Sequence, residues 1–331
     1  MVTIRDVAKA AGVSVATASR ALNGMSIVTV ETREKIEAAA AELDYVPHSG
    51  ARSLTKRKTD TIGVILPDLF GEFFSEIIRG IDLVTHRAGK SLLLGNMHGS
   101  AEETAQAIRA MRGRVDGLLV MPPNSRADTV EAVTRDIPTV LLNARGTDDV
   151  TPFVTVDNYV GARLVTEHLI SRGARNIVHI AGPANNRDAR ERQRGYCDVL
   201  AEQMGNFSPT ILPGDFRDGA GRKAARQLLD GDIAFDAVFA SNDIMAVDLM
   251  SELRASGREI GKDVLIAGFD DIPLARYVTP GLTTAHSDIT RLGSTAAELM
   301  LRMMTGEALE RSESLVIAPT LAIRGSSAGR A

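Results

Sequence analysis

The sequence predicts an all-α N-terminal headpiece followed by an α/β core of two doubly wound parallel sheets. Up to about residue 45, apolar side chains recur at helical spacing. From Thr61 onward, short β-branched runs alternate with amphipathic stretches of ten or more residues, which is typical of parallel sheets covered by helices. With 331 residues, 44% of them hydrophobic, the chain is long enough to bury more than one core.

The first predicted helix runs from about residue 4 to residue 11. Thr3 and Asp6 have the spacing of a capping box in which a short acidic side chain replaces the usual Glu. Gly12 can adopt the left-handed conformation that ends a helix, and Ser14 can cap the next one. A tight turn between two short helices is therefore expected.

The second predicted helix ends at Asn23, and Thr29 caps a third that extends to about residue 44. Pro47 then stops the helical pattern. The third helix supplies the apolar stripe that closes a small core, consisting of Ile36, Ala39, Ala40 and Leu43. The spacing alone is equally compatible with a small helical bundle that binds no ligand.

Two stretches of this region carry a specific resemblance to a known family. The segments VTIRDVAKAAGVSVATASRALNG and VTVETREKIEAAAAELDYVPHSGARSL closely resemble the DNA-binding headpiece of the LacI family of transcriptional regulators. The resemblance implies that Val15, Ala16 and Arg20 read base edges in the major groove. Arginine can donate a bidentate pair to guanine, and Val and Ala offer methyl surfaces to thymine. Six further residues lie where the family contacts phosphates: Thr3, Ser14, Thr17, Ser19, Asn23 and Thr32.

The segment HSGARSLTK resembles the hinge helix of the same family, so residues 47–59 are expected to form the hinge and linker after a headpiece of residues 1–46. Leu54 is then the wedge that enters the minor groove, and Ala51 and Arg52 line the same groove. Gly50 departs from the pattern, because Ala or Val is expected there. Glycine disfavours a helix, so this hinge is expected to form less readily in the absence of DNA.

The core begins with strands predicted at TIGVIL, SLLLGN, DGLLVMP and TVLLN, and continues with NIVHIAG, AVFAS and VLIAGFD. The core resembles the LacI family throughout, and that family in turn resembles the periplasmic sugar-binding proteins. The resemblance implies two subdomains that the chain crosses three times within residues 60–331. The first is predicted at about 60–158 and 288–318, and the second at about 159–287 and 319–325.

Candidate effector-binding residues follow the strands, because ligands of open α/β sheets bind at the carboxyl ends of strands. The resemblance marks Arg192 and Asp270 as the strongest candidates. The guanidinium of Arg192 can donate two hydrogen bonds to a ligand, and the carboxylate of Asp270 can accept hydrogen bonds from its hydroxyls. The complete predicted set is Asp68, Phe73, Phe74, Asn143, Asn186, Asp188, Arg192, Phe216, Asn242 and Asp270. For any one of them, helix capping or a surface ion pair is the alternative interpretation.

Carboxylates, amides and arginine beside the aromatic faces of Phe73 and Phe216 suit a polyhydroxylated ring, so a sugar or sugar derivative is the predicted effector. A purine stacked between the same rings is the alternative. Asn186 and Asp188 count against the purine, because the purine-binding branch of the family carries other side chains at those positions. His286 lies near a subdomain crossover and is a further candidate for ligand contact.

Catalysis is not predicted. The sequence contains neither a G-x-S-x-G elbow nor an HExxH motif, and no cofactor or metal is expected. The stretch from Gly257 to Lys262 resembles a phosphate loop only superficially, because its glycines are too close and Asp263 replaces the required Ser or Thr.

The charge and composition favour a cytoplasmic DNA-binding protein. Residues 1–58 carry a net charge of +3 and the remainder −7, within a total of −4. The densest basic run is Arg52, Lys56, Arg57 and Lys58, which suits a phosphate backbone but is also compatible with a solvated linker. No signal peptide or apolar run of about 18 residues is seen, and one cysteine, Cys197, excludes an internal disulfide framework.

Assembly and regulation follow from the same resemblance. Pseudopalindromic operators are read by dimers, so a homodimer is expected, and the absence of a leucine-heptad tail after Arg324 argues against a tetramer. An effector bound between the subdomains would change the angle between them. The distance between the hinge segments of the two subunits would then change as well. Whether the effector releases the operator or promotes its binding is left open by the sequence.

Overall fold

The computed structural model describes residues 2–23, 25–45, 58–97, 101–122, 127–134, 136–146, 151–205, 208–231, 233–307, 309 and 313–328. The chain divides into two compact units. The first consists of Met1–Asp60 and Gly113–Asp116, and the second of Thr61–Arg112 and Gly117–Ala331. The first unit contains the helices α1 (Ile4–Ala11), α2 (Val15–Leu22) and α3 (Val30–Glu42). The predicted hinge residues Gly50, Ala51, Arg52 and Leu54 lie outside the described residues.

The three predicted helices of the headpiece are confirmed, and their ends show why the chain turns where it does. The carboxylate of Asp6 accepts hydrogen bonds from both the backbone N and the hydroxyl of Thr3, each at 2.8 Å. Gly12 has a φ of 65°, the left-handed conformation that ends α1. Ser14 caps α2 by accepting from the backbone N of Thr17 at 3.0 Å. The third helix ends two residues before the predicted position.

A small apolar core holds these helices together. Val7 and Ile36 are fully buried at its centre. Small side chains surround them and let the helices approach closely: Ala8, Ala11, Ala18, Ala21, Ala39 and Ala40. The core leaves the opposite face of α2 free of packing.

The second unit contains twelve strands among its described residues. In chain order they are β1 (Thr61–Leu66), β2 (Ser91–Asn96), β3 (Gly117–Val120), β4 (Thr139–Leu142), β5 (Phe153–Val156), β6 (Ile177–Ile180), β7 (Thr210–Leu212), β8 (Ala237–Ala240), β9 (Leu265–Asp270), β10 (Thr283–His286), β11 (Leu315–Ile317) and β12 (Thr320–Ala322). The helices between them are α4 (Glu72–Arg87), α5 (Ala101–Met111), α6 (Asp128–Thr134), α7 (Asn158–Ser171), α8 (Arg187–Met204), α9 (Ala220–Asp230), α10 (Asp243–Ala255), α11 (Leu274–Tyr277) and α12 (Ile289–Met304).

The strands form two six-stranded sheets, which confirms the predicted fold class. The first has the order β11-β5-β4-β3-β1-β2 and is parallel throughout. The second has the order β12-β10-β9-β8-β6-β7, and its terminal pair, β10 with β12, is antiparallel. The chain passes between the sheets after β5, after β10 and after β11. Both sheets are covered by helices, so their central strands are buried on both faces, whereas edge strands such as β2 are partly exposed.

Candidate functional site

The outer face of α2 presents the three residues predicted to read bases. Val15, Ala16 and Arg20 are exposed, with 43% of Val15 accessible, whereas Ala18 and Ala21 of the same helix are buried. An exposed valine beside an exposed arginine has no role in the packing of the headpiece. This face is therefore available for a partner, and the base contacts themselves stay a prediction.

Several residues predicted to contact phosphates also hold the ends of the headpiece helices. The hydroxyls of Ser14 and Thr17 are 2.8 Å apart, and Asn23 donates from its Nδ2 to the carbonyl of Ser19 at 2.8 Å. The amide oxygen of Asn23 is buried and has no hydrogen-bond partner among the described residues. Thr32 accepts a hydrogen bond from the hydroxyl of Thr29. These local bonds fix the side chains that would meet the DNA backbone.

Arg192 is the centre of the second candidate site. This residue of α8 is only 5% exposed. Its Nε donates to Oδ1 of Asn158 at 2.8 Å, its Nη2 to Oδ1 of Asp270 at 3.2 Å, and its Nη1 to the carbonyl of Ser241. A buried cation needs such partners, because leaving it unpaired costs several kcal/mol. The guanidinium is thus held by the first residue of α7, by the residue after β8 and by the last residue of β9.

Two aromatic rings complete the surroundings of this guanidinium. The Cζ of Arg192 lies 3.7 Å from the ring centroid of Phe269 and 5.5 Å from that of Phe216. Phe216 has a φ of 67° and packs on Gly182, where an added Cβ would come within 2.4 Å of the Phe216 ring. Gly182 is therefore what allows Phe216 to reach Arg192.

The carboxylate of Asp270 has an unusual electrostatic environment. Burial raises the pKa of Asp270 to about 6, and the charge of Asp188 adds to the rise, whereas the Arg192 guanidinium opposes it. Burial also raises the pKa of Asp243, which is fully buried and accepts hydrogen bonds from the hydroxyl of Thr284 and the backbone of Ile272. Asp243 is occupied by these structural bonds, whereas Asp270 is 5% exposed and its Oδ1 accepts from Arg192.

A cavity of about 320 Å³ lies between the two subdomains, at the carboxyl ends of β4 and β5 and the N-terminus of α8. Two of the predicted residues, Asn143 and Asp188, line it, and Asn158 connects it to Arg192. Asn143 is 5% exposed, and its amide oxygen has no hydrogen-bond partner in the described part of the chain. An unpaired buried acceptor is costly, so a donor that reached this oxygen would stabilise it.

The remaining predicted residues lie outside the lining of this cavity. Asn186 and Asn242 cap α8 and α10, and Asn242 also donates to the carbonyl of Phe216 at 3.0 Å. Asp68 accepts from the backbone of the two residues that follow it. Phe73 and Phe74 form an edge-to-face pair, with centroids 5.3 Å apart, packed against the first core. Their contact with an effector stays a prediction.

Ten of the twelve lining residues are absent from the predicted set, among them Asn158, Tyr159, Arg187 and Arg194. Asn158 lies two residues after β5, at the carboxyl edge of the sheet. The sequence does not predict the short strand FVTV, so it predicts no site residue at the end of that strand. The arginines carry no local signal that distinguishes them from solvated surface charges.

His286 belongs to a separate cluster rather than to this cavity. Its Nδ1 lies 2.9 Å from Oδ2 of Asp271, a carboxylate that also accepts from Arg324 at 2.6 Å. The hydrogen bond to Asp271 raises the pKa of His286. A second, smaller cavity of about 110 Å³ adjoins this cluster. His286 thus has a structural partner in this structure, and its contact with an effector stays a prediction.

Two general properties of the described residues bear on function. None of the helices in the described part of the chain is both long and apolar enough to cross a membrane. No group of three or more His, Cys, Asp or Glu side chains within the described ranges is arranged to hold a metal ion.

Comparisons with known protein families match both parts of the chain. Residues 3–48 match the family of bacterial regulatory proteins of the lacI type, and residues 166–327 match the periplasmic binding protein-like domain. The ribose operon repressor of Halalkalibacterium halodurans is 35% identical over 94% of this chain and 92% of its own length. The repressor PurR of Aliivibrio fischeri is 34% identical over 94% of each chain.

Among solved structures, the chain is similar to the Lac repressor dimer bound to operator and the anti-inducer ONPF. The TM-score is 0.88 at 30% sequence identity, and the alignment covers 98% of this chain and 99% of that one. The likeness therefore extends over the headpiece and the core together.

Proposed function

The chain belongs to the LacI family of bacterial regulatory proteins, and on this premise we propose that it is a sugar-responsive repressor. It is a sequence-specific DNA-binding transcriptional regulator controlled by a small molecule, and it is not an enzyme. It acts as a homodimer on operator DNA. As a DNA-binding regulator it is proposed to work in the cytoplasm.

The proposed operator contacts use the outer face of α2. Arg20 donates to a guanine, and Val15 and Ala16 pack against neighbouring bases. The exposure of these three residues on a helix whose other face is buried supports the assignment. Thr3, Ser14, Thr17, Ser19, Asn23 and Thr32 are proposed to contact phosphates. Leu54, with Gly50, Ala51 and Arg52 beside it in the hinge, is proposed to enter the minor groove.

The observation that carries the effector proposal is the arrangement around Arg192. The guanidinium of Arg192 is held in place by Asn158 and Asp270, next to the cavity between the subdomains. The guanidinium supplies hydrogen-bond donors, and its partners supply acceptors, at fixed positions. Such groups match the hydroxyls of a sugar. The same subdomain contributes Asp188, Phe216 and Asn242, and the predicted residues of the first subdomain are Asp68, Phe73, Phe74 and Asn143.

A purine effector is the alternative, since one relative is the repressor PurR. The residues Asn186 and Asp188 favour the sugar, because the purine-binding branch of the family carries other side chains at those positions.

A footprint on the promoter upstream of the protein's own gene tests the proposal. The full-length protein is expected to protect a pseudopalindrome, and one neutral sugar, sugar acid or sugar phosphate from a panel is expected to change the protection. A response to nucleobases alone would favour the purine, and the absence of any protected palindrome would refute operator binding at this site.

A further inference from the structure

A histidine is buried in the middle of the second sheet, within a strand whose other residues are apolar. His179 of β6 is fully buried. The centroid of its ring lies 5.0 Å from that of Tyr196 and 4.8 Å from that of Phe239. Burying an imidazole is costly unless its nitrogens are hydrogen-bonded. Both nitrogens of His179 have partners, and these partners connect the ring to the surroundings of Arg192.

The two hydrogen bonds of His179 determine which ring nitrogen carries the proton. Its Nδ1 lies 3.0 Å from the carbonyl oxygen of Phe239, and because a carbonyl only accepts, Nδ1 is the donor. Burial lowers the pKa of His179 to about 3; the bond to Phe239 opposes the fall and the charge of Arg192 adds to it. The ring is therefore neutral at pH 7 and its Nε2 is an acceptor, to which the hydroxyl of Ser241 donates over 3.2 Å.

Ser241 connects this histidine to the predicted effector site. It follows the last residue of β8 directly and is fully buried. Its hydroxyl donates to His179, whereas its carbonyl accepts from Nη1 of Arg192. One residue thus bonds to the imidazole through its side chain and to the guanidinium through its backbone, so a restraint on its side chain also restrains the carbonyl.

The ring of His179 also packs on the helix that carries Arg192. Tyr196 lies four residues after Arg192 on α8, so the two side chains share one face of that helix, one turn apart. The hydroxyl of Tyr196 donates to the carbonyl of Ile177 at 2.7 Å, which holds the Tyr196 ring against His179. His179 therefore contacts both the helix that carries the guanidinium and the strand end that accepts from it.

We infer that His179 is a positioning residue of the effector site, which acts through Ser241 and Tyr196 to fix the direction of the Arg192 guanidinium. The inference rests on the proposed function, because it assumes that Arg192 binds the effector. A leucine at position 179 would fill much of the same space but would leave the buried hydroxyl of Ser241 without its acceptor. The carbonyl of Ser241 would then be less restrained, and Arg192 would be held less firmly.

Exchange of the Nε proton of Arg192 with water, measured by NMR on full-length protein with ¹⁵N-labelled arginine, tests the inference without an effector. Arg192→Lys identifies the signal by its absence. His179→Leu is expected to accelerate the exchange by about tenfold or more and to lower the melting temperature. Combining it with Ser241→Ala removes both partners, so the melting temperature should recover whereas the exchange should stay fast. Unchanged exchange in His179→Leu, or slow exchange in the double variant, would overturn the inference.

His168→Leu is the matched control, because His168 is also buried and bonds to a serine hydroxyl, that of Ser327 at 2.7 Å. This bond leads to the C-terminal segment and not to a partner of Arg192. The control should lower the melting temperature and leave the exchange of the Arg192 proton unchanged. Equal acceleration in both variants would show general loosening of the core and would overturn the inference.

Calorimetry with ribose, glucose, galactose and cellobiose as probes connects this positioning to the effector. A sugar that binds the unmodified protein is expected to bind His179→Leu about tenfold or more weakly, while operator affinity changes by less than about twofold. Equal sugar affinity in the two proteins would overturn the role of His179 and leave the proposed function intact. Binding of none of the four sugars, with accelerated exchange in His179→Leu, would count against the sugar effector and support the positioning of Arg192.

Discussion

At the scale of single residues, Arg192 shows how the site depends on partners that are far apart in the sequence. Its guanidinium contacts side chains or backbone from residues 158, 241 and 270. Desolvation of a lone guanidinium would cost several kcal/mol, so each of these partners contributes to holding it in place. The ring of Phe216 closes the remaining side, and Gly182 makes room for that ring.

Gly182→Ala is therefore expected to weaken effector binding while preserving operator binding. The new methyl group would displace the Phe216 ring from Arg192, and a loss of about tenfold, or about 1.4 kcal/mol, is expected. Calorimetry with the identified effector measures it. The double variant with Phe216→Leu should bind no more weakly than Phe216→Leu alone, and a larger loss would show that Gly182 acts elsewhere.

Arg20→Lys tests the base contact separately from the charge. Lysine keeps the positive charge but lacks the guanidinium fork, so operator affinity should fall by about 1–3 kcal/mol and discrimination at one base pair should relax. Fluorescence anisotropy over a salt series with single-base operator variants measures both effects. A uniform loss across all operator variants would identify Arg20 as a phosphate contact.

His286→Asn is expected to alter how stability depends on pH. The pKa of His286 is raised in the folded protein by Asp271, so its stabilising contribution is present below the ordinary pKa of 6.5 and is lost as the pH rises through the folded value. Because the pair is partly exposed, the contribution should be below about 1 kcal/mol. The free energy of unfolding, measured with denaturant between pH 5.5 and about 8, should decline less with rising pH in the variant. Identical pH profiles for the two proteins would contradict the assignment.

Residue types and strand ends were enough to predict Arg192, Asp270, Asn143 and Asp188 as members of one region. They were not enough to separate these from Asn186 and Asn242, whose side chains cap helices, because Asn at a strand end suits both roles. The partner of Arg192, Asn158, could not be assigned either, since the contact joins residues 34 positions apart.

At the scale of elements, the helices α4 and α12 cross at close range. An added Cβ at Gly80 would lie 2.1 Å from the carbonyl oxygen of Thr290, and one at Gly293 would lie 2.2 Å from that of Ile77. At each of these two glycines, the backbone of the neighbouring helix occupies the space that a side chain would need. The first sheet is covered by this pair, so the crossing determines how tightly that subdomain packs.

Gly293→Ala is expected to destabilise the core by about 1–3 kcal/mol, because the methyl group meets backbone atoms that cannot move alone. Thermal unfolding measures the effect. Glu298→Ala, an exposed position on the same helix, is the control and should leave the melting temperature nearly unchanged. Equal melting temperatures for Gly293→Ala and the unmodified protein would contradict the close crossing.

Gly50→Ala tests the predicted hinge helix, which lies outside the described residues. Replacing the glycine should favour the helix by about 0.5–1 kcal/mol and tighten operator binding by about two- to fivefold. Anisotropy with the unmodified and variant proteins on the same operator measures it. An unchanged affinity would mean that hinge formation does not limit binding.

The elements were predictable where local patterns are strong. The three headpiece helices carry caps and a shared apolar face, and the longer strands carry continuous β-branched runs. The C-terminal strand expected within residues 319–325 is present as β12, but four strands were missed: FVTV, TIL, TTAH and LVI at β5, β7, β10 and β11. Each has only three or four residues and is stabilised by pairing with strands distant in the chain, which no local pattern reveals.

At the scale of the whole molecule, regulation requires a ligand to distinguish two arrangements of the core. The chain passes between the sheets three times, and the cavity beside these passages is lined from both subdomains. A ligand that contacts both walls can favour one arrangement, and a coupling of about 1–3 kcal/mol to operator binding is ordinary for such a device. In the proposed homodimer, that change would reach two headpieces at once.

Operator affinity measured by anisotropy with and without the effector, for the unmodified protein and for Asp270→Asn, tests this account most directly. The isosteric amide keeps an oxygen that can accept from Arg192, so the variant is expected to fold. The effector should shift the affinity of the unmodified protein by about 5- to 150-fold. The variant should bind the operator equally well but respond little. An equal shift of operator affinity in both proteins would contradict effector recognition by Asp270.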